Sequence, residues 1–143
     1  MDGDIIRYKY DIVNMKVFTK ESDYAIQLLS MLAHSQAPVS LRQFADRSRI
    51  SFLFLQRIAR KLRAAGLIDA TQGRDGGYRL LRPAEQITLA AVKDAIEGAT
   101  ATVACLSGQI CPLAEHCVFP KRYAQLDIEI SKVLEQKTLA EFV

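Results

Sequence analysis

From Ser22 to Gly66 the apolar residues recur at intervals of three and four in three short runs, the first and third closed by a residue that stops a helix and the second by a four-residue break. Tyr24, Ala25, Leu28, Leu29, Leu32 and Ala33 form the first run, which stops near Ala37-Pro38. Leu41, Phe44 and Ala45 form the second, and Leu55, Ile58, Ala59 and Leu62 the third, which ends at Gly66. One apolar stripe per run is what amphipathic helices sharing a core require. Ser40 with Gln43 has the form of a capping box, and Ser51 is placed to cap the third helix after the break Arg47-Ser48-Arg49-Ile50. Two helices joined by so tight a turn, the second basic on its outer side, make a helix-turn-helix. Residues 67–72 then read as a strand, Gly73-Arg74-Asp75-Gly76-Gly77 as a turn and residues 78–81 as the returning strand, a hairpin wing. Thr88 starts another helix with Leu89, Val92 and Ile96 on one face, closing at Gly98.

Charge points to the partner of this unit. The chain has 143 residues and a formal net charge of +3. Residues 40–82 alone hold ten basic side chains against three acids, a formal +7, and the remainder carries −4. Such asymmetry favours a polyanion. With 50% hydrophobic residues, 7 Gly and 4 Pro, the composition excludes disorder and low-complexity repeats. Apolar runs are far shorter than the ~20 residues of a membrane span, and the amino terminus lacks the pattern of a secretory signal. A cytoplasmic protein without membrane contact is expected. No nucleophile with a base partner and no phosphate-binding glycine loop is evident, and the 2 His are His34 and His116, so an enzyme is not expected.

The three cysteines, Cys105, Cys111 and Cys117, lie in one short window. An odd, clustered set argues against a disulfide framework, and the C-x-x-C knuckle of a zinc site is absent. Three thiolates on a loop with Gly108 and Pro112 for turns can wrap an iron-sulfur cluster; three buried small hydrophobes are the plain alternative. Beyond Pro120, Tyr123, Leu126, Ile130 and Val133 recur at three, four and three, a short heptad-like seam. A stripe of this kind predicts packing on a second copy, a homodimer, with packing on the chain's own first helix as the other possibility.

The order of these features resembles the Rrf2 family of bacterial winged-helix regulators, which includes IscR-like and NsrR-like iron-sulfur proteins. The likeness runs through Met15-Lys16-Val17-Phe18-Thr19-Lys20, Asp23-Tyr24-Ala25, Phe54-Leu55-Gln56-Arg57-Ile58, Leu62-Arg63-Ala64-Ala65-Gly66-Leu67-Ile68, Gly76-Gly77-Tyr78-Arg79-Leu80, the three cysteines and Thr138-Leu139-Ala140-Glu141-Phe142. The resemblance implies that Cys105, Cys111 and Cys117 ligate a cluster of two or four irons. IscR-like members place a histidine three residues after the last cysteine, where this chain has Pro120. NsrR-like members use an aspartate early in the first helix of the other subunit, and Asp23 stands at the matching place. Without that likeness Asp23 reads as an acid near a helix start, where it favours the dipole, and His116 as a surface histidine.

For double-stranded operator DNA, the third helix is expected in the major groove with Gln56 and Arg57 at base edges, and Arg42, Arg60 and Lys61 at phosphates. Several relatives carry an arginine before the first glycine of the wing turn; here Gln72 holds that place, so Arg74 is the expected wing residue. Phe52, Phe54 and Tyr78 read as packing residues.

The expected architecture is mainly α with a small β wing, in four parts. Residues 1–14 are an extension, 15–100 the winged helix-turn-helix, 101–120 the cysteine loop and 121–143 a dimerisation helix. The expected function is transcriptional regulation through a cluster that senses redox state, nitric oxide or iron-sulfur supply. The alternative is a cluster-free member that senses by thiol oxidation or a small metabolite.

Overall fold

The computed structural model describes residues 17–98, Leu106, Ile110 and residues 112–143. Five helices, α1 (Lys20–His34), α2 (Leu41–Ser48), α3 (Phe52–Ala64), α4 (Leu89–Glu97) and α5 (Pro120–Gln136), surround a two-stranded hairpin of β1 (Ile68–Thr71) and β2 (Gly77–Leu80). Short 3₁₀ turns at Ala84–Gln86 and Leu139–Phe142 complete the described chain. The core is the one the periodicity marked: Ala25, Leu28, Leu29, Leu32, Phe44, Leu55, Ile58, Ala59, Leu62, Val92 and Ile96 are all buried. Ile87 and Leu139, both fully buried, join them from the segments that flank α4 and follow α5.

Helix starts divide into those with a side-chain cap and those without. Thr19 caps α1, its hydroxyl accepting from the Ser22 N–H at 3.2 Å, so the helix begins before Ser22. Thr88 caps α4 in the same way from Ala91 N–H at 3.1 Å. Ser40 accepts from Arg42 N–H at 3.2 Å, the single-sided form of a cap without a bond from Gln43 among the described residues. Ser51 makes no side-chain cap. The connection from α2 to α3 is tight because Arg49 takes a left-handed conformation, φ 57°, and its N–H returns to the Ala45 carbonyl at 3.0 Å.

The hairpin is antiparallel, pairing Ile68 with Leu80, Asp69 with Arg79, Ala70 with Tyr78 and Thr71 with Gly77. It is fastened to the linker before α2 by two bonds of 2.9 Å each, Val39 N–H to the Tyr78 carbonyl and Tyr78 N–H to the Val39 carbonyl. This close approach explains Gly77: an added Cβ would lie 2.7 Å from the Val39 carbonyl carbon and oxygen.

Two bonds of 2.8 Å, Leu89 N–H to the Lys137 carbonyl and Leu139 N–H to the Ile87 carbonyl, bind the end of α5 to the start of α4. The two helices therefore run antiparallel from a shared end. With 17 residues against nine, α5 is about 12 Å longer at ~1.5 Å per residue. Its amino-terminal part overhangs the domain, and Leu134 is its buried residue among the described ones. No helix among the described residues is long and apolar enough to cross a membrane.

Candidate nucleic-acid interface

Helix α3 buries Leu55, Ile58, Ala59 and Leu62 and turns Leu53, Gln56, Arg57, Arg60 and Arg63 outward. At i, i+3 and i+4 these outward residues share one face, the geometry by which a helix lying in the major groove reaches base edges. Gln56 and Arg60 are exposed, and Arg60 forms no ion pair with any described residue. Arg57 is held more firmly. Its Nε donates to Glu21 Oε1 at 3.1 Å, and its guanidinium carbon stands 4.7 Å from the centre of the Phe54 ring. Lys61 turns inward, with Nζ 2.7 Å from the Ile96 carbonyl and 3.2 Å from Glu21 Oε1.

Arg42, at the start of α2, is exposed, with its guanidinium carbon 5.0 Å from the Phe52 ring centre. Phe52, Phe54 and Tyr78 are partly buried against the core, the packing expected of them. Arg74 is exposed at the wing tip beside Gly73, whose φ of 114° lets the chain reverse there. Exposed arginines thus stand on α2, α3 and the wing, three separate parts of one basic segment. Two residues were missed from sequence. Leu53 is 75% exposed at the start of α3, an apolar side chain of the type that meets a thymine methyl. Glu21 belongs to the α1 period only as a polar position, and its link to α3 carries no local signal.

Cys105 and Cys111 lie outside the described residues. Cys117 is half-buried and its thiol is free, and it precedes Lys121 and Arg122 in the first turn of α5. Asp23 is exposed in the first turn of α1 and accepts from Gln27 Nε2 at 3.2 Å. It borders a shallow cavity of about 490 Å³ with Ile26, Met31 and His34 on its walls. The chain enters the cysteine segment beside this helix start, because Glu97, the last residue of α4, accepts from both the N–H and the hydroxyl of Thr19 at 2.9 and 3.0 Å. Among the described residues no cluster of three His, Cys, Asp or Glu side chains could hold a metal.

Comparison with known proteins decides the family. The model of the Rrf2 family, described as an iron-dependent transcriptional regulator, matches residues 18–143. The chain belongs to the Rrf2 family. The HTH-type transcriptional regulator IscR of Sodalis glossinidius is 31% identical over 127 residues, covering 87% of this chain and 77% of that protein. CymR, the global cysteine regulator of B. subtilis, superposes with a TM-score of 0.73 at 25% identity, over 90% of this chain and 96% of its own. IscR of T. potens superposes at 0.68 with 26% identity, over 87% and 84%. This Rrf2 protein is a DNA-binding transcriptional regulator with a winged-helix fold, and not an enzyme.

Proposed function

We propose that this regulator binds a near-palindromic operator as a homodimer and that an iron-sulfur cluster on its cysteine segment controls that binding. The observation that carries the dimer is the exposed seam of α5: Tyr123 and Leu126 stand on the part that overhangs α4, and Val133, on the same face of the helix, stays exposed with them. A second copy of the same helix covers such a stripe at small cost, since the seam is self-complementary. In the operator complex Gln56 and Arg57 read base edges, Arg42 and Arg60 meet phosphates, and Arg74 enters the groove from the wing. Lys61 adds charge to this face while its ammonium stays bonded to Glu21 and Ile96.

The donor chemistry of the segment fits a cluster. Cys105, Cys111 and Cys117 supply soft thiolates, and Asp23 of the second protomer supplies a harder carboxylate. The half-burial of Cys117 and the exposure of Asp23 at a helix start suit one sulfur ligand inside a loop and one oxygen ligand brought across an interface. When bound, the cluster supplies chemistry that oxidants or nitric oxide can alter. The chain's own contribution is mechanical: the segment joins Glu97, bonded to the start of α1, to the overhanging part of α5. A change in the segment acts on the α1 start and on the dimer seam together, and so on the spacing of the two α3 helices.

The absorption spectrum of anaerobically purified protein, with iron and sulfide assays on the same sample and on Asp23→Ala, tests this reading. Colour with stoichiometric iron and sulfide, altered in the variant, is expected. A colourless protein that resists anaerobic reconstitution would move the reading to a cluster-free thiol or metabolite sensor. One observation favours that second reading: the likeness to CymR, the global cysteine regulator of B. subtilis.

A further inference from the structure

Among the described residues, Arg57 is the one outward arginine of α3 that is fixed at two points. Glu21 Oε1 takes its Nε at 3.1 Å, and the Phe54 ring lies under the guanidinium at 4.7 Å. Phe54 is itself set by an edge contact with Tyr24 of α1, ring centres 5.9 Å apart at 88°. Lys61 holds the carboxylate in turn, its Nζ 3.2 Å from the same Glu21 oxygen and 2.7 Å from the Ile96 carbonyl. Glu21 is 21% exposed and Arg57 is 57% exposed, so the inner end of the guanidinium is engaged and the outer end is open. No described group takes the two Nη amines. A guanidinium anchored through Nε and laid on a ring presents those amines as a fixed fork, the shape that accepts the O6 and N7 edge of guanine in two parallel bonds.

We infer that Glu21 is a positioning residue for sequence readout: it, with Phe54, sets the Arg57 fork for a guanine while touching no DNA itself. The inference rests on the DNA reading of α3 proposed above. It separates two effects a carboxylate beside a recognition helix can have. As a negative charge, Glu21 weakens binding to every DNA; as an acceptor for Nε, it sharpens preference at one base.

Selection by the full-length wild-type chain from a pool of random double-stranded DNA finds the preferred site, and Arg57→Ala identifies the guanine that Arg57 reads. Glu21→Ala and Glu21→Gln are then compared on that site, on the same site with the guanine replaced by adenine, and on unselected DNA. Glu21→Ala is expected to cut the guanine-over-adenine ratio at least about fivefold, within the range of one bidentate contact, with binding to unselected DNA unchanged or tighter. Glu21→Gln removes the same charge but keeps an acceptor oxygen, and is expected to retain more of the ratio. Equal ratios in the two variants, or a ratio equal to wild type in both, overturn the proposal, as does weaker binding to all DNA in step with lost thermal stability. Phe54→Leu, which removes the ring and leaves Glu21 in place, is expected to lower the ratio as well; an unchanged ratio there counts against it. Failure of the wild-type chain to enrich any sequence overturns the DNA reading of α3 itself, and an enriched site indifferent to Arg57→Ala overturns the positioning role alone.

Discussion

Glu97 closes α4 with its carboxylate among donors from the start of α1. Its Oε1 accepts from the fully buried Ser22 hydroxyl, from the Thr19 N–H at 2.9 Å and from the Thr19 hydroxyl at 3.0 Å, while Oε2 faces the Lys93 ammonium at 3.4 Å. Burial acts to raise the pKa, and the Ser22 hydroxyl, the Thr19 donors and Lys93 together outweigh it, so the carboxyl titrates below its ordinary value of 4.5. A lowered folded-state pKa means that the bonds stabilise the charged form. That stabilisation is complete above the ordinary glutamate value and is lost as pH falls through the lowered one. Glu97→Gln is therefore expected to cost roughly 1–2 kcal/mol at pH 7, the lower part of the scale for hydrogen bonds to a charged group, because the carboxylate is only partly buried. In urea unfolding the gap between wild type and variant should narrow as the pH is taken below 4.5; a gap of the same size at both ends would remove the charge from the account. None of this is legible locally, since Thr19 and Glu97 are 78 positions apart. The caps at Thr19 and Thr88 are different: each is a hydroxyl three residues before its donor, and Thr88 stands out in the chain for that reason.

The wing and α5 are the two elements whose sequence signals have opposite reach. The hairpin is readable from its turn glycines, and its strands fall within one residue of the expected bounds. Its attachment at Val39 is not, because the bond partners are backbone atoms with no side-chain pattern. Gly77→Ala tests that attachment. The new methyl would lie 2.7 Å from the Val39 carbonyl, and a loss of roughly 1–3 kcal/mol is expected from forced overpacking, read as a lower midpoint in thermal unfolding together with weaker DNA binding. For α5, periodicity shows which face is apolar but never which neighbour covers it. Ile130 is partly buried, whereas Leu126 and Val133 are 40% and 54% exposed, and Leu134 is the buried residue of the helix among the described ones. Leu126→Glu with Val133→Glu is expected to leave the helical content intact, since neither side chain supports the domain, and to give a monomer in sedimentation at micromolar protein. A dimer that survives both charges would place the interface elsewhere.

At the scale of the molecule the separation of charge is the feature most directly legible, because it needs no contact to be known: residues 40–82 carry +7 while the remainder carries −4. What folding adds is a selection among those cations. Lys61 and Arg57 are tied to Glu21, and Arg63 Nε lies 3.9 Å from Asp69 Oδ1, whereas Arg42, Arg60 and Arg74 remain exposed without an ion pair among the described residues, as do Arg47, Arg49, Arg79 and Arg82. The three assigned to DNA, Arg42, Arg60 and Arg74, become six in a homodimer that seats both α3 helices at once. Each phosphate neutralised contributes a slope of about −0.9 to log affinity against log salt, so a dimer using all six is expected near −5, a loss of about a thousandfold between 50 and 200 mM salt. Arg60→Ala should make that slope shallower by about two, one contact from each protomer, and weaken binding to all sequences alike. Arg57→Ala should instead change the slope little and erase a base preference, since its guanidinium is already paired with a carboxylate. Fluorescence anisotropy on one operator at four salt concentrations measures both. A wild-type slope near −2 to −3 would mean that a single protomer carries the DNA, and the coupling of the cysteine segment to helix spacing would then have no second helix to act on.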